Sequence, residues 1–135
     1  MADQITVRSY AKGVDQAPRK VALVASLVNN RNVEDALVIL AHTPKRAALP
    51  VVKAIESARS NAVNTHGLDS KSLVLTTVSV TAGARLKRFK PASRGRALPF
   101  QKKSANILIE VSGSVKPKKK PATVKAVEAE KKESE

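Results

Sequence analysis

Two-residue alternation of apolar and polar positions marks three stretches of the chain, residues 5–11, 73–81 and 107–111. The second and third stretches are also rich in Val, Thr and Ile, whose branched side chains favour extended backbone. We therefore expect three strands, the first of them half exposed to solvent.

Between the first two strands the apolar spacing changes to three and four residues, which is typical of helices. Pro18 suits the opening turn of a first helix, and the residues expected to face inward from it are Val21, Val24, Leu27 and Val28. Asn32 is placed to cap a second helix, because the acidic Glu34 and Asp35 follow it at the positive helix end. The inward residues of this helix would be Ala36, Leu37 and Leu40.

A third and longer helix is expected to begin at Thr43-Pro44, to run to about Asn64 and to end at Gly67. Pro50 would kink it, because proline removes one backbone hydrogen bond inside a helix. The residues that can face the core are Leu49, Val52, Ile55, Ala58 and Ala62.

A second side of this helix carries short polar residues and one cation: Lys53, Ser57, Ser60, Asn61 and Asn64. A solvated helix face is the usual explanation of such a stripe. Small side chains also let another surface approach closely, however, so their size favours an interface.

The charge distribution singles out the segment between the last two predicted strands. Residues 70–109 contain no acid and nine cations, eight of which are Arg85, Lys87, Arg88, Lys90, Arg94, Arg96, Lys102 and Lys103. Like charges repel, and no carboxylate lies near them in sequence. The counter-charge must come from a partner, and a polyanion such as a nucleic acid matches a row of cations.

This cationic segment has two structural interpretations. A loop of about 25 residues is unusual in a small domain unless it is functional or disordered, and a disordered basic loop is one interpretation. In the other, the strands continue beyond the core as a two-stranded arm, whose ten or so residues each way would reach about 30 Å. Such a hairpin is marginal in water, so it would need a binding surface.

Composition extends the basic character to the whole chain, which has a net charge of +14 and a pI near 10.5. Residues 1–111 suit one small domain. Residues 112–135 are rich in Lys, Pro, Ala and Glu and are expected to form a disordered tail. Aromatic residues are few, which argues against base-stacking platforms.

Other chemistry is poorly supported by the sequence. There is no cysteine, and His42 and His66 show no local ligand pattern, so we expect no disulfide, metal or cofactor. The acids are scattered and no catalytic motif is present, so we expect no enzyme. The start of the chain resembles no leader and no apolar stretch approaches membrane-spanning length, so we expect a reduced, cytosolic protein with no membrane partner.

Six short stretches resemble one known family. They are Ala-Pro-Arg-Lys-Val at 17–21, Thr-Pro-Lys-Arg-Ala-Ala at 43–48, Ser-Ala-Arg-Ser-Asn-Ala at 57–62, Leu-Lys-Arg-Phe at 86–89, Arg-Gly-Arg-Ala at 94–97, and the closing strand after 102–103. In this order, over residues 5–111, they resemble the bacterial-type large-subunit ribosomal protein L twenty-two family.

The resemblance implies an α+β fold, with three helices packed on a small three-stranded antiparallel sheet and a long protruding β-hairpin at about residues 82–103, its tip at 86–97. It implies a structural constituent of the large ribosomal subunit that binds ribosomal RNA and supports assembly. The hairpin would lie along the nascent-peptide exit tunnel. The implied partners are large-subunit ribosomal RNA, neighbouring ribosomal proteins and the nascent peptide, in a cytoplasmic or, alternatively, an organellar ribosome.

Carried over by position, the RNA-facing residues would be Arg19, Lys20, Lys45, Lys53, Ser57, Asn61, Lys87, Arg88, Arg94 and Arg96. The charge argument adds Arg85, Lys90, Lys102 and Lys103. The sequence departs from the family pattern at Ala17, where a capping Ser is usual, at Asn106, where His is frequent, and at 91–93, where Pro-Ala-Ser replaces a common Pro-Arg-Ala.

Charge alone also allows a different class of function, an architectural DNA- or RNA-binding protein outside the ribosome. Such proteins commonly use a dimer surface and insert apolar wedges between base steps. Phe89 and Phe100 are the only large aromatic candidates for wedges in the cationic segment.

Overall fold

Residues 5–115 are described by a computed structural model, in which three helices cover one face of a three-stranded sheet. The elements in chain order are β1 (Ile5–Val14), α1 (Pro18–Val28), α2 (Val33–Ala41), α3 (Ala48–His66), β2 (Val74–Pro91) and β3 (Ala97–Gly113). Single 3₁₀ turns at Ser70–Ser72 and Ser93–Gly95 precede β2 and β3. The predicted α+β class is therefore confirmed.

The sheet is antiparallel, with the strand order β1–β3–β2. The central strand β3 therefore pairs on both edges, and its alternate residues Ala105, Ile107, Ile109 and Val111 are all fully buried. The intervening residues face the uncovered side of the sheet, where Arg8 Nε on β1 lies 2.7 Å from Glu110 Oε1. The alternation that predicted the strands is thus the alternation between the helix layer and solvent.

The core is built mainly from aliphatic side chains of α1, α3 and the sheet. Val21 and Val28 on α1, and Ile55 on α3, are fully buried, as the spacing predicted. The prediction of burial is wrong for two residues, because Leu27 is 47% exposed and Leu49 is 66% exposed. Each of them lies outside the side of its helix that carries the buried residues.

The start of the third helix differs from the prediction. α3 begins at Ala48, and residues 43–45 form an irregular connection before it. Pro50 is therefore only the third residue of the helix. At this position a backbone N–H would have no partner within the helix, so the proline removes no hydrogen bond and there is no reason for a kink. The predicted end is confirmed, because Gly67 adopts a left-handed conformation with φ 62° and its N–H donates to Val63 O.

Asn32 occupies the N-cap position of α2, as predicted, but its side chain makes no capping hydrogen bond. Its backbone is used instead: the carbonyl accepts from Ala36 N–H, and the residue bridges to Val74 of β2. The hydrogen bonds of this bridge come from the residues on either side of Asn32: Val33 N–H donates to Leu73 O, and Leu75 N–H donates to Arg31 O, so the start of α2 is joined to the beginning of β2.

The cationic segment forms the two-stranded arm rather than a disordered loop. β2 and β3 remain paired from Arg85–Lys103 to Pro91–Ala97, beyond the level at which β1 ends opposite Ala105. We define the arm as residues 85–103. Seven residues on each side span about 23 Å at strand rise, less than the expected 30 Å. The arm is shorter because the three-stranded part of the sheet extends further than expected.

The end of the last strand also lies further along the chain than expected. β3 continues to Gly113, and Val115 forms an isolated bridge with Leu68. The remaining part of the predicted tail, residues 116–135, lies outside the described residues. No helix within residues 5–115 combines the length and the apolar character needed to cross a membrane.

Candidate nucleic-acid interface

The arm presents its side chains to solvent on both faces. Every residue from 85 to 103 except the half-buried Ala92 is exposed, so none of the eight cations is covered by the protein. Because cross-strand partners share a face, the pairing register divides the arm into two faces of different composition.

The outer face alternates cations with apolar side chains. Each cross-strand pair on it joins one of each kind: Leu86 with Lys102, Arg88 with Phe100, and Lys90 with Leu98. The Lys90 ammonium lies 5.1 Å from the centre of the Phe100 ring, within cation–π range. This face can therefore meet phosphates and apolar base or sugar surfaces at once.

The other face of the arm continues the buried side of β3, and we call it the helix-side face. Its pairs are Arg85 with Lys103, Lys87 with Gln101, and Phe89 with Pro99. Cations therefore concentrate near the domain on this face, while apolar side chains lie near the turn. Phe89 is 72% exposed, more than any other large hydrophobic residue among those described.

The turn at the end of the arm is narrower than the predicted tip of 86–97. Ala92 N–H donates to Arg96 O at 2.8 Å and closes the turn, whereas Leu86 lies in the paired part of the arm. Arg94 has φ 58° and Gly95 has φ 71°. A left-handed arginine costs about 1–2 kcal/mol of backbone strain, and this conformation places a cation in the turn at the end of the arm.

Two bulges mark the level at which the arm leaves the domain. One extra residue is inserted in β2 between Ala82 and Arg85, and one in β1 between Ala11 and Val14. The bulge in β2 is held from the facing strand, because Ser104 Oγ of β3 donates to Ala84 O at 2.6 Å. The bulge in β1 is fixed differently, because Gly13 N–H donates to Asn106 Oδ1 at 3.0 Å.

One arm cation has an internal counter-charge that its sequence neighbours could not reveal. Lys102 Nζ lies 3.1 Å from Asp15 Oδ2, and both side chains are more than half exposed. The expectation that a partner must neutralise every arm cation is therefore wrong for Lys102. An exposed pair of this kind contributes little stability, so it does not prevent Lys102 from meeting a phosphate.

Three of the four predicted cations outside the arm line two cavities. Lys20 on α1 and Lys45 before α3 line one cavity of about 590 Å³, together with the exposed Leu23 and Leu27. Arg19 points elsewhere and lines a smaller cavity at the base of the arm.

The polar stripe of α3 is a separate group. Lys53, Ser57 and Asn61 are all exposed, and the opposite side of the helix is buried through Ala58 and Ala62. The stripe is thus available for contact, and its short side chains leave the helix backbone accessible to a close neighbour.

Comparison with known proteins places this architecture in a family. Residues 9–112, which include the whole arm, match the family model of ribosomal protein L22p/L17e. The large ribosomal subunit protein uL22 of two strains of Lactobacillus delbrueckii subsp. bulgaricus is 41% identical over 113 residues, covering 83% of this chain and 97% of each relative. The chain belongs to the ribosomal protein L22p/L17e family.

Two of the departures expected from the family resemblance, Ala17 and Asn106, can be placed in the structure. Ala17, where a capping Ser is usual, precedes α1 without any side-chain hydrogen bond to its first turn. Asn106, where His is frequent, supplies the amide oxygen that holds Gly13.

Sequence reasoning missed the roles of three residues that shape the base of the arm. Ser104, Asn106 and Asp15 act through pairing register and distant contacts, which no local pattern reports. Phe100 was named only as a wedge candidate; the apolar row that it forms with Leu86 and Leu98 on the outer face could have been found by extending the two-residue alternation into the cationic segment.

Proposed function

We propose that this chain is a structural constituent of the large ribosomal subunit that binds large-subunit ribosomal RNA, mainly through its arm. The observation that carries the proposal is the arm itself, with eight exposed cations, no acid between residues 85 and 103, and one internal ion pair. The named relatives are large-subunit proteins, and this chain covers 97% of their length.

Neutralisation of phosphates supplies most of the binding free energy in this proposal. Each phosphate contact releases condensed counterions, and the cations of both arm faces can contact RNA that surrounds the arm. RNA packed around the arm would also stabilise it, because a two-stranded ribbon that buries no apolar core is marginal alone. The arm therefore binds as an inserted element rather than as a flat surface.

The contacts outside the arm orient the domain on the RNA. Arg19, Lys20 and Lys45 offer charges near the start of α1, and Ser57 and Asn61 offer hydrogen bonds on α3. Phosphate and sugar contacts of this kind fix position without reading sequence. The role is structural, and no step of catalysis is assigned to it.

The turn of the arm is proposed to lie along the nascent-peptide exit tunnel, as the family resemblance implies. The supporting observations are that the turn is the part of the arm furthest from the domain and that Arg94 is held at its extremity. Neighbouring ribosomal proteins and the nascent peptide would then be further partners.

Binding to a folded large-subunit ribosomal RNA fragment, compared with duplex DNA of equal length at physiological salt, tests the RNA proposal. We expect clearly tighter binding to the RNA, and tagged protein should sediment with large subunits in a sucrose gradient. Equal affinity for both nucleic acids, with no sedimentation in the subunit fraction, would favour the architectural protein outside the ribosome.

Site-specific crosslinking tests where the turn lies. The chain has no cysteine, so Arg88→Cys or Arg94→Cys introduces a single thiol for a short photocrosslinker, and Asp35→Cys on α2 serves as the control. In assembled ribosomes, position 94 should crosslink to tunnel RNA or nascent peptide and position 35 should not. Crosslinks from the arm only to solvent-side proteins would show that the arm lies elsewhere.

A further inference from the structure

A cavity of about 250 Å³ lies where the arm meets the start of α1. Three cations from three different elements line it: Arg19 of α1, Arg85 of β2 and Lys103 of β3. The rest of its lining is small and includes Ala17, Pro18, Ala82 and Ser104. The fold thus brings together charges that are far apart in sequence.

These cations have no counter-charge within the described part of the chain. Arg85 and Lys103 are direct cross-strand partners on the helix-side face, a position where like charges destabilise the pairing. The ion pairs among residues 5–115 are Arg8 with Glu110 and Lys102 with Asp15. Lys102 on the outer face is therefore paired with Asp15, whereas no acidic residue lines the cavity.

The backbone around the cavity is held in place. Ser104 Oγ, on the cavity wall, donates to Ala84 O and secures the bulge that precedes Arg85. Gly83 packs so closely against Ser104 that a Cβ there would lie 2.6 Å from the hydroxyl oxygen. The two strands that carry Arg85 and Lys103 are thereby fixed relative to each other.

We propose that this cavity holds a single phosphate group of an RNA backbone, gripped jointly by Arg19, Arg85 and Lys103. Guanidinium groups bind phosphate oxygens through paired hydrogen bonds, and a lysine adds a point charge. The lining contains no aromatic side chain on which a base could stack, so the ligand is the phosphate and not a nucleotide. The inference rests on the proposed RNA binding and assigns to it one shared contact at the base of the arm.

Double-variant analysis of RNA binding tests whether the contact is shared. If three groups grip one phosphate, Arg19→Gln displaces it, and Lys103→Gln then has little left to remove. The loss of affinity in the double variant should fall at least about threefold short of the product of the single losses. Arg19→Gln combined with Lys87→Gln, whose lysine does not line the cavity, is the control and should be multiplicative.

Titration with inorganic phosphate provides a second test, which does not depend on RNA. In the full chain, phosphate titrated against sodium chloride at equal ionic strength should give saturable amide shifts at Arg19, Arg85 and Lys103. Lys103→Gln or Arg85→Gln should abolish them, whereas Lys102→Gln should retain them.

The two experiments separate the possible failures. Multiplicative losses in the cavity pair, or phosphate shifts that spread over the arm without saturating, would overturn the shared site while leaving RNA binding intact. No affinity for ribosomal RNA in the unaltered protein would instead overturn the proposed function, and the phosphate titration would still decide the cavity.

Discussion

Neutralising the outer half of the arm should weaken the salt dependence of RNA binding without unfolding the protein. The change replaces Lys87, Arg88, Arg94 and Arg96 by Gln, which lowers the net charge from +14 to +10. All four side chains are exposed, and none forms an ion pair within residues 5–115. The domain core is untouched, so its thermal midpoint should stay nearly constant.

The magnitude follows from the number of phosphates that the variant no longer neutralises. Each neutralised phosphate contributes about 0.7 to 0.9 to the slope of log affinity against log salt concentration. The loss of four phosphate contacts should therefore make this slope shallower by about 2.8 to 3.6. Doubling the salt concentration should then weaken the unaltered protein about 7 to 12 times more than the variant. The salt series must cover at least that doubling.

Fluorescence anisotropy with a labelled ribosomal RNA fragment measures both slopes. The matched control replaces Lys12, Arg31, Arg46 and Lys71 by Gln, exposed cations outside the arm whose removal gives the same net charge. This control should leave the slope nearly unchanged. Equal slopes for the arm variant and the unaltered protein, or an equal reduction in the control, would refute the assignment of phosphate contacts to the arm.

Three further outcomes are expected. Ser57→Glu or Asn61→Glu on α3 should weaken binding to the RNA fragment, because the longer acidic side chain hinders close approach and repels phosphate, while the thermal midpoint stays nearly unchanged. Unaltered affinity would indicate that the polar stripe of α3 is only a solvated face. Gly83→Ala should lower the free energy of unfolding, measured in urea, by about 1–2 kcal/mol, because the new Cβ displaces the Ser104 hydroxyl from its hydrogen bond. Combining it with Ser104→Ala should recover part of that loss, and additive losses would contradict the steric argument. Deleting 86–88 should leave the domain folded, judged by its thermal midpoint, because these residues are exposed; a collapsed midpoint would show that the arm supports the core. Because the turn of the arm is proposed to lie along the exit tunnel, ribosomes that carry the deletion should assemble yet respond differently to stalling nascent chains.

The strands and the helix faces were predictable because burial follows residue periodicity. Alternation along residues 107–111 and the spacing of Val21, Val24 and Val28 each describe a single element packed on one neighbour. The cationic segment was predictable in charge, and its two-stranded form was one of two interpretations. Pairing between β2 and β3 decides that alternative.

The errors arise where more than one element decides the outcome. Leu27 and Leu49 fit the apolar spacing of an isolated helix, but burial depends on which side of the helix packs against the other elements, and both residues lie outside that side. Lys102 meets Asp15 only because β1 pairs with β3, which brings together residues 87 positions apart in the sequence. Local patterns carry no information about such distances.

The base of the arm is where the structure and the proposed binding meet. β3 has two partners up to Ala105 and only β2 beyond it, so the sheet changes from three strands to two at the level of both bulges. A two-stranded ribbon resists bending less than the covered sheet does, and its direction is therefore set where it leaves the domain. The cavity formed by Arg19, Arg85 and Lys103 lies at that level and joins α1 to both arm strands. A phosphate held there would link the helix layer to the arm, so the contact that anchors the domain on RNA would also fix the direction in which the arm enters it.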